Sequence, residues 1–123
     1  MAVNVVAVDN APELLEKIEG IFRNMAEVSL LGSFEEAVAV VEFVKENPVD
    51  MVFTDIVMPD ISGISLASEL QKLKNTPAVV LMSSIPGFSL EAWKIRAFGF
   101  IEKPYTTHDV VKMVERFQKE NVR

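Results

Sequence analysis

Short apolar runs alternate with amphipathic segments along the whole chain, and this alternation constrains the fold more than any other feature. Each run has the length of a strand that is covered on both faces of a sheet. We interpret as strands residues 3–8, 28–31, 51–54, 78–82 and 98–101. Strands that alternate with helices at intervals of about 25 residues predict right-handed crossovers and a parallel sheet.

The segments between these runs carry apolar residues at helical spacing. Pro12 suits the first turn of the first helix, where a missing N–H is tolerated. Ser33 with Glu36, and Thr106 with Asp109, have the pattern of N-terminal caps for the second and last helices. The apolar helical patterns cover residues 12–25, 37–44, 64–73, 90–97 and 110–117. The chain is therefore predicted to contain five βα units of the α/β class.

Composition limits the function classes that such a chain can serve. With 123 residues, of which 50% are hydrophobic, one core is expected, so residues 1–123 are predicted to form a single domain. The absence of cysteine excludes disulfides and thiolate metal sites. A net charge of -6 argues against direct nucleic-acid binding. Neither a signal peptide nor an apolar run of about 18 residues is found, so a cytoplasmic location without membrane contact is predicted.

Polar side chains follow four of the five predicted strands. Asp9 follows the first strand, Asp55 the third, Ser83 and Ser84 the fourth, and Lys103 the fifth. Ligands of an open parallel sheet bind outside the carboxyl ends of its strands, so these side chains are expected to meet. Carboxylates and an ammonium that lose hydration need compensation, which a divalent cation and a phosphoryl group would supply.

Four ordered stretches carry a resemblance to a known family. They are VDNAP at residues 8–12, TDIVMPDISG at 54–63, MSS at 82–84 and GFIEKPY at 99–105. Together they make essentially the whole chain resemble a bacterial response regulator receiver domain of two-component signalling. The resemblance implies a flavodoxin-like (βα)5 three-layer sandwich whose five parallel strands have the order 2-1-3-4-5.

The resemblance also assigns chemical roles. It implies that Asp55 accepts a phosphoryl group from a phosphohistidine of a sensor histidine kinase, with Mg²⁺ as the cofactor. Lys103 would contact the phosphoryl oxygens as a point charge. The implied metal ligands are Asp9, Asn10, Asp55 and the main-chain carbonyl of Val57, a set of hard oxygen donors that suits Mg²⁺.

A switch is implied as well. Ser83 aligns with the hydroxyl that moves to the phosphoryl group, although Ser84 stays open as the alternative, and Phe100 aligns with the aromatic residue that rotates inward. The change would reach the surface formed by the fourth helix, fifth strand and fifth helix. That surface is expected to bind a downstream protein target or output domain, or a second copy of the chain. The Lys103-Pro104 bond resembles the cis bond of the family.

The chain departs from the family pattern in two respects. Asn10 stands where a second acid usually touches the metal, which predicts weaker Mg²⁺ binding, although Asn10 as a plain helix cap is equally open. Asp60 lies near the loop and cannot be assumed to replace that acid. Val57 and Ile85, two residues beyond the acceptor and the switch serine, are apolar and cannot orient a water molecule. Slow autodephosphorylation is therefore predicted.

The resulting hypothesis is a phosphoacceptor switch and not an enzyme that turns over a free metabolite. The alternative is a degenerate receiver that acts as a phosphorylation-independent protein interaction module, which Asn10 favours. An aspartate-nucleophile phosphatase would need an acid where Val57 stands, and a flavin-binding protein would need a phosphate-cradling loop at residues 9–12. The fifth predicted helix lies near the last residue, so the output is expected to be protein contact if the chain is a whole regulator, and the chain could equally be one excised domain.

Overall fold

Five strands and five helices alternate along the chain in a computed structural model that describes residues 2–85 and 87–121. The strands are β1 (Val3–Val8), β2 (Val28–Phe34), β3 (Met51–Asp55), β4 (Ala78–Ser83) and β5 (Gly99–Glu102). The helices are α1 (Pro12–Arg23), α2 (Val38–Glu46), α3 (Gly63–Leu70), α4 (Phe88–Lys94) and α5 (Thr107–Glu120). The predicted alternation of strand and helix is confirmed.

All five strands pair in parallel, in the order β2-β1-β3-β4-β5, which confirms the predicted topology. Two apolar clusters cover the two faces of this sheet. Residues of α1 and α5 pack on one face, where Phe22 contacts Phe53 edge to face. Residues of α2, α3 and α4 pack on the other face. The sheet is therefore the middle layer of three, and all parallel strand ends point to one edge.

The start of the second helix differs from the sequence prediction. β2 continues to Phe34, and Ser33 pairs with Ala7 in the sheet, so the capping box predicted for Ser33 and Glu36 was wrong. Helix α2 begins at Val38 and has no side-chain cap from its own N-cap residue. The competing interaction is the ladder of β2 with β1, which a local capping pattern does not reveal.

Other boundaries shift by a few residues. Helix α3 ends at Leu70 and α4 at Lys94, earlier than their apolar patterns suggested, while β5 begins at Gly99. The predicted cap of α5 is confirmed, because the Thr106 hydroxyl accepts a hydrogen bond from the Asp109 amide and the Asp109 carboxylate accepts one from the Thr106 amide. The cis Lys103-Pro104 bond is also confirmed. In the part of the chain that the structure describes, no helix is long and apolar enough to cross a membrane.

Candidate functional site

The predicted polar residues meet in one cavity at the carboxyl edge of the sheet. Asp9 follows β1, Asp55 and Ser83 are the last residues of β3 and β4, and Lys103 follows β5. The cavity has a volume of about 500 Å³. Its lining includes Asp9, Asn10, Asp55, Val57, Ser83, Ser84, Ile85 and Lys103. The parallel sheet thus brings together side chains that lie far apart in the chain.

One lysine is shared by two carboxylates in this cavity. The Nζ atom of Lys103 lies 2.8 Å from Asp9 Oδ2 and 3.3 Å from Asp55 Oδ1. The side chains of Lys103, Asp9 and Asp55 are 10%, 2% and 14% exposed, so water screens these charges poorly. Within these ion pairs two carboxylates share one ammonium, so the pairs carry one excess negative charge, while the Lys17 ammonium at the same cavity is bonded to the Tyr105 main-chain oxygen. The site is therefore electrostatically suited to a cation.

The pKa of the Asp55 carboxyl reflects both its burial and the charges that surround it. Burial raises the pKa of the Asp55 carboxyl above its ordinary value, and the Asp9 carboxylate raises it further. The Lys103 ammonium acts against both effects and lowers the pKa of Asp55. A bound cation would act in the same direction as Lys103, because it favours the ionised form.

The donor atoms around the cavity fit a hard divalent cation. Asp9 is held in place because its Oδ1 atom accepts a hydrogen bond from the Ala11 amide at 2.9 Å. Exposed Asn10 and Val57 line the same cavity and would add amide and main-chain oxygen donors. Among the described residues, no three His, Cys, Asp or Glu side chains cluster as a metal site. A metal here would thus draw on neutral oxygen ligands in addition to the carboxylates of Asp9 and Asp55, and the weaker Mg²⁺ binding expected from Asn10 stays a prediction.

Asp60 does not supply the missing acid. Its Oδ1 atom accepts a hydrogen bond from the Ala37 amide at 3.1 Å and its Oδ2 atom one from the Val38 amide at 2.8 Å. These bonds lower the pKa of Asp60 and keep it ionised. Both oxygens are engaged at the start of α2, away from the Asp55 carboxylate.

The two serines after β4 differ in burial. Ser83 is 2% exposed, and its hydroxyl accepts a hydrogen bond from the Ile85 amide at 3.0 Å. Ser84 is exposed and lines the same cavity. To donate to a ligand in the cavity, the Ser83 hydroxyl would redirect its proton from the Ile85 main-chain oxygen, which lies 3.5 Å away. The choice of Ser83 over Ser84 stays a prediction.

Phe100 lies apart from the cavity. It sits in β5 opposite Leu81 and is half-buried against the apolar cluster of α2, α3 and α4. It is not among the described residues that line the cavity. On neighbouring α4, Leu90 and Trp93 are 56% and 77% exposed. Phe100 therefore packs on the face of the sheet that α2, α3 and α4 cover, and its predicted switch role remains a prediction.

Sequence reasoning missed Lys17 and Tyr105, which line the same cavity. The Nζ atom of Lys17 donates to the Tyr105 main-chain oxygen at 2.7 Å and lies 4.2 Å from the centre of the Tyr105 ring. Burial, with a smaller effect of Asp9, raises the pKa of Tyr105 to about 12. Helical spacing could have identified Lys17, which lies one turn after cavity-lining Leu14.

Gly63 allows helix α3 to begin directly against Asp55. A Cβ atom at this residue would overlap the main-chain oxygen of Asp55 and would lie 3.0 Å from the Ile56 Cα atom. Only a residue without a side chain fits there. Gly63 was part of a quoted motif, but its steric role appears only in three dimensions.

Comparison with known proteins agrees with this geometry. The profile of a family described as the response regulator receiver domain matches residues 5–115. Protein MrkE of Klebsiella pneumoniae is 25% identical over 112 residues, which are 91% of this chain and 42% of MrkE. Sensory transduction protein LytT of Bacillus anthracis is 27% identical over 116 residues, or 94% of this chain and 47% of LytT. The chain spans less than half the length of these relatives.

Solved structures share the fold. The signal receiver domain of the response regulator NarL from Mycobacterium tuberculosis superposes with a TM-score of 0.88 at 26% identity, covering 96% of this chain and 97% of that domain. The response regulatory domain of MrkE superposes with a TM-score of 0.86 at 24% identity, covering 95% and 96%. Both similarities extend over nearly the whole chain.

Proposed function

Because this chain belongs to the response regulator receiver domain family of two-component systems, we propose that it is a phosphorylation switch whose acceptor is Asp55. The observation that best supports this proposal is the poorly hydrated lysine shared by two carboxylates, 2.8 Å from Asp9 and 3.3 Å from Asp55. Such a site places a carboxyl acceptor beside a fixed cation. The phosphoryl donor is a phosphohistidine of a sensor histidine kinase.

The proposed transfer is a direct displacement at phosphorus. An oxygen of the Asp55 carboxylate forms the new O–P bond while the N–P bond of the phosphohistidine breaks, and the bonding electron pair stays on the imidazole nitrogen. Lys103 pairs with the phosphoryl oxygens. Mg²⁺ held by Asp9, Asn10, Asp55 and the Val57 carbonyl would neutralise phosphoryl charge.

The switch then changes a protein-binding surface. The Ser83 hydroxyl redirects its O–H from the Ile85 main-chain oxygen to a phosphoryl oxygen, Phe100 moves inward, and the α4–β5–α5 surface changes shape. We propose that this surface binds a downstream protein target or an output domain, or pairs two copies of the chain. No direct contact with nucleic acid or membrane is part of the proposal, and the location is cytoplasmic.

The phosphoryl group is proposed to persist. Val57 and Ile85 line the cavity with 54% and 48% exposure, and their apolar side chains have no group that orients an attacking water. The domain therefore takes and slowly loses one phosphoryl group, and it turns over no free metabolite.

A second candidate is the degenerate receiver, which binds its partner without phosphate. Asn10 favours it, together with the lack of a three-acid cluster among the described residues. In that case the Lys103 pairs would be a structural ion network only.

Incubation with acetyl phosphate and Mg²⁺, followed by intact mass measurement, separates the two candidates. We expect the parent to gain one phosphoryl mass and Asp55→Asn to gain none, because the amide cannot form the acyl phosphate. Mass measured again after removal of the donor gives the lifetime, and loss within seconds would contradict slow autodephosphorylation. If the parent never gains the phosphoryl mass, and its Ser83 and Phe100 resonances do not shift when beryllofluoride and Mg²⁺ are added, the protein is a degenerate receiver.

Asn10→Asp tests the metal assignment. The substitution adds a carboxylate at the cavity rim, so we expect Mg²⁺ to bind about tenfold more tightly, because ligand charge controls the affinity of hard cations. Calorimetric titration of the parent and the variant measures this difference. Equal affinities would show that residue 10 is not a metal ligand.

A further inference from the structure

Helix α2 is capped by a residue from a different part of the chain. Its N-cap residue, Ala37, has no side chain that can accept a hydrogen bond. The amides of Ala37 and Val38 instead donate to the two oxygens of Asp60, at 3.1 Å and 2.8 Å. Asp60 belongs to the loop that follows Asp55, so this cap joins the phosphoacceptor loop to α2.

The same connection between β2 and α2 also contacts the other side of the site. The Asp9 amide donates to the main-chain oxygen of Phe34 at 3.0 Å. Asn10, Phe34 and Pro59 line a second cavity, with a volume of about 480 Å³. Residues 34–38 are therefore linked to Asp9 through Phe34 and to the phosphoacceptor loop through Asp60.

The loop itself is otherwise attached at its two ends. The Ile56 amide donates a hydrogen bond to the Met82 main-chain oxygen at 3.0 Å, and the Gly63 amide donates one to the Ile56 main-chain oxygen at 2.8 Å. Between these ends, Asp60 is the described loop side chain that accepts hydrogen bonds from the start of α2, whereas Ser62 accepts one within the start of α3. Val57 lies three residues before Asp60, with Pro59 limiting the backbone between them.

We propose that Asp60 is a positioning residue for the metal side of the site. By holding the middle of the loop against α2, it restrains the loop backbone that carries the Val57 main-chain carbonyl, a proposed Mg²⁺ ligand. This inference rests on the proposed function, because it assumes that Val57 is a Mg²⁺ ligand. The charge of Asp60 also favours its place at a helix start.

The test compares Asp60→Ala and Asp60→Asn with Ser62→Ala as a matched control. Ser62 lies in the same loop and caps α3, through a hydrogen bond from the Ser65 amide at 3.0 Å, without contacting α2. Two measurements are made on the intact chain. Amide hydrogen exchange at Ala37, Val38 and Val57 is followed without metal, and Mg²⁺ affinity is measured by calorimetry.

For Asp60→Ala we expect exchange at Ala37 and Val57 to accelerate and Mg²⁺ binding to weaken by up to about fivefold, the value reached when the whole stabilising effect of one cap is coupled to metal binding. Asp60→Asn, which retains one acceptor oxygen, should lie between Asp60→Ala and the parent. Ser62→Ala should bind Mg²⁺ as the parent does, although α3 has lost its cap.

Unchanged Mg²⁺ affinity in Asp60→Ala, with faster exchange at Ala37 alone, would overturn the inference and leave Asp60 as a helix cap. Equal weakening in Ser62→Ala would also overturn it, since general loosening of the loop would then suffice. A parent that does not bind Mg²⁺ would contradict the proposed function, and this inference with it. A parent that binds, with both Asp60 variants matching it, would contradict this inference alone.

Discussion

Replacing Lys103 by methionine is expected to lower the free energy of unfolding at pH 7 by about 3 kcal/mol, because it leaves two buried carboxylates without their cation. Methionine has a similar length and no charge, so the loss of stability measures the contribution of the Lys103 ammonium group. The rate of phosphorylation by acetyl phosphate should fall at least about 100-fold, since the charge that faces the phosphoryl oxygens is removed. Urea unfolding and intact mass measure the two effects.

The stability loss should depend on pH in a defined direction. Burial already raises the pKa of Asp55 in the folded parent, and Lys103 is the group that most opposes this. Without it the pKa of Asp55 rises further above the ordinary value of 3.8, so the folded state binds protons more tightly than the unfolded state. Stability is then lost as the pH rises through the folded pKa. The difference between variant and parent should be largest at neutral pH and shrink on acidification.

Two further variants test the cause of this loss. Lys45→Met removes an exposed ion pair, Lys45 with Glu42 at 3.1 Å, and should change stability by less than about 0.5 kcal/mol. Adding Asp55→Asn to Lys103→Met should restore part of the stability, because one of the unpaired charges is gone. A double variant no more stable than Lys103→Met, or a loss that does not depend on pH, would show that packing rather than charge accounts for the effect.

Gly63→Ala is expected to destabilise the domain by about 3 kcal/mol, because the added methyl overlaps main-chain atoms that cannot rotate away. The nearest atoms to such a Cβ belong to Asp55 and Ile56, so relief requires a shift of the backbone of Asp55, the proposed acceptor. A displacement of about 1 Å at a reacting group can cost about 100-fold in rate. Chemical denaturation and the phosphorylation rate both report on this substitution.

Gly20→Ala is the matched control for that change. Gly20 lies within α1, and a Cβ there meets no atom within 4 Å. The same substitution should therefore stabilise the protein by about 0.5–1 kcal/mol through helix propensity. If both variants were equally stable, the close approach of α3 to Asp55 would not be a constraint on residue 63.

The positions of the site residues were largely predictable because they follow from the order of the elements. A parallel sheet places every strand end at one edge, so Asp9, Asp55, Ser83 and Lys103 were expected together and do line one cavity. The cap of α5 was equally predictable, since Thr106 and Asp109 bond to each other within one turn. In each case the signal lies within a short window of the chain or in a rule of topology.

Contacts between distant segments were not predictable in this way. Ser33 has the local pattern of a cap but pairs with Ala7 in the sheet, and α2 is capped by Asp60, more than twenty residues away. The contact of Lys17 with Tyr105 likewise joins residues 88 positions apart. A local pattern shows which interactions a residue can form, but it does not show which distant segment of the chain supplies the partner.

The sequence by itself determined the succession of strands and helices and the polar groups at the strand ends, because apolar periodicity and composition act over a few neighbouring residues. The tertiary structure decided that one lysine serves two carboxylates, that Gly63 lies against Asp55 and that Asp60 holds α2. Those features depend on distances through space and on which groups lose water when the layers pack. Neither quantity can be read from the order of residues.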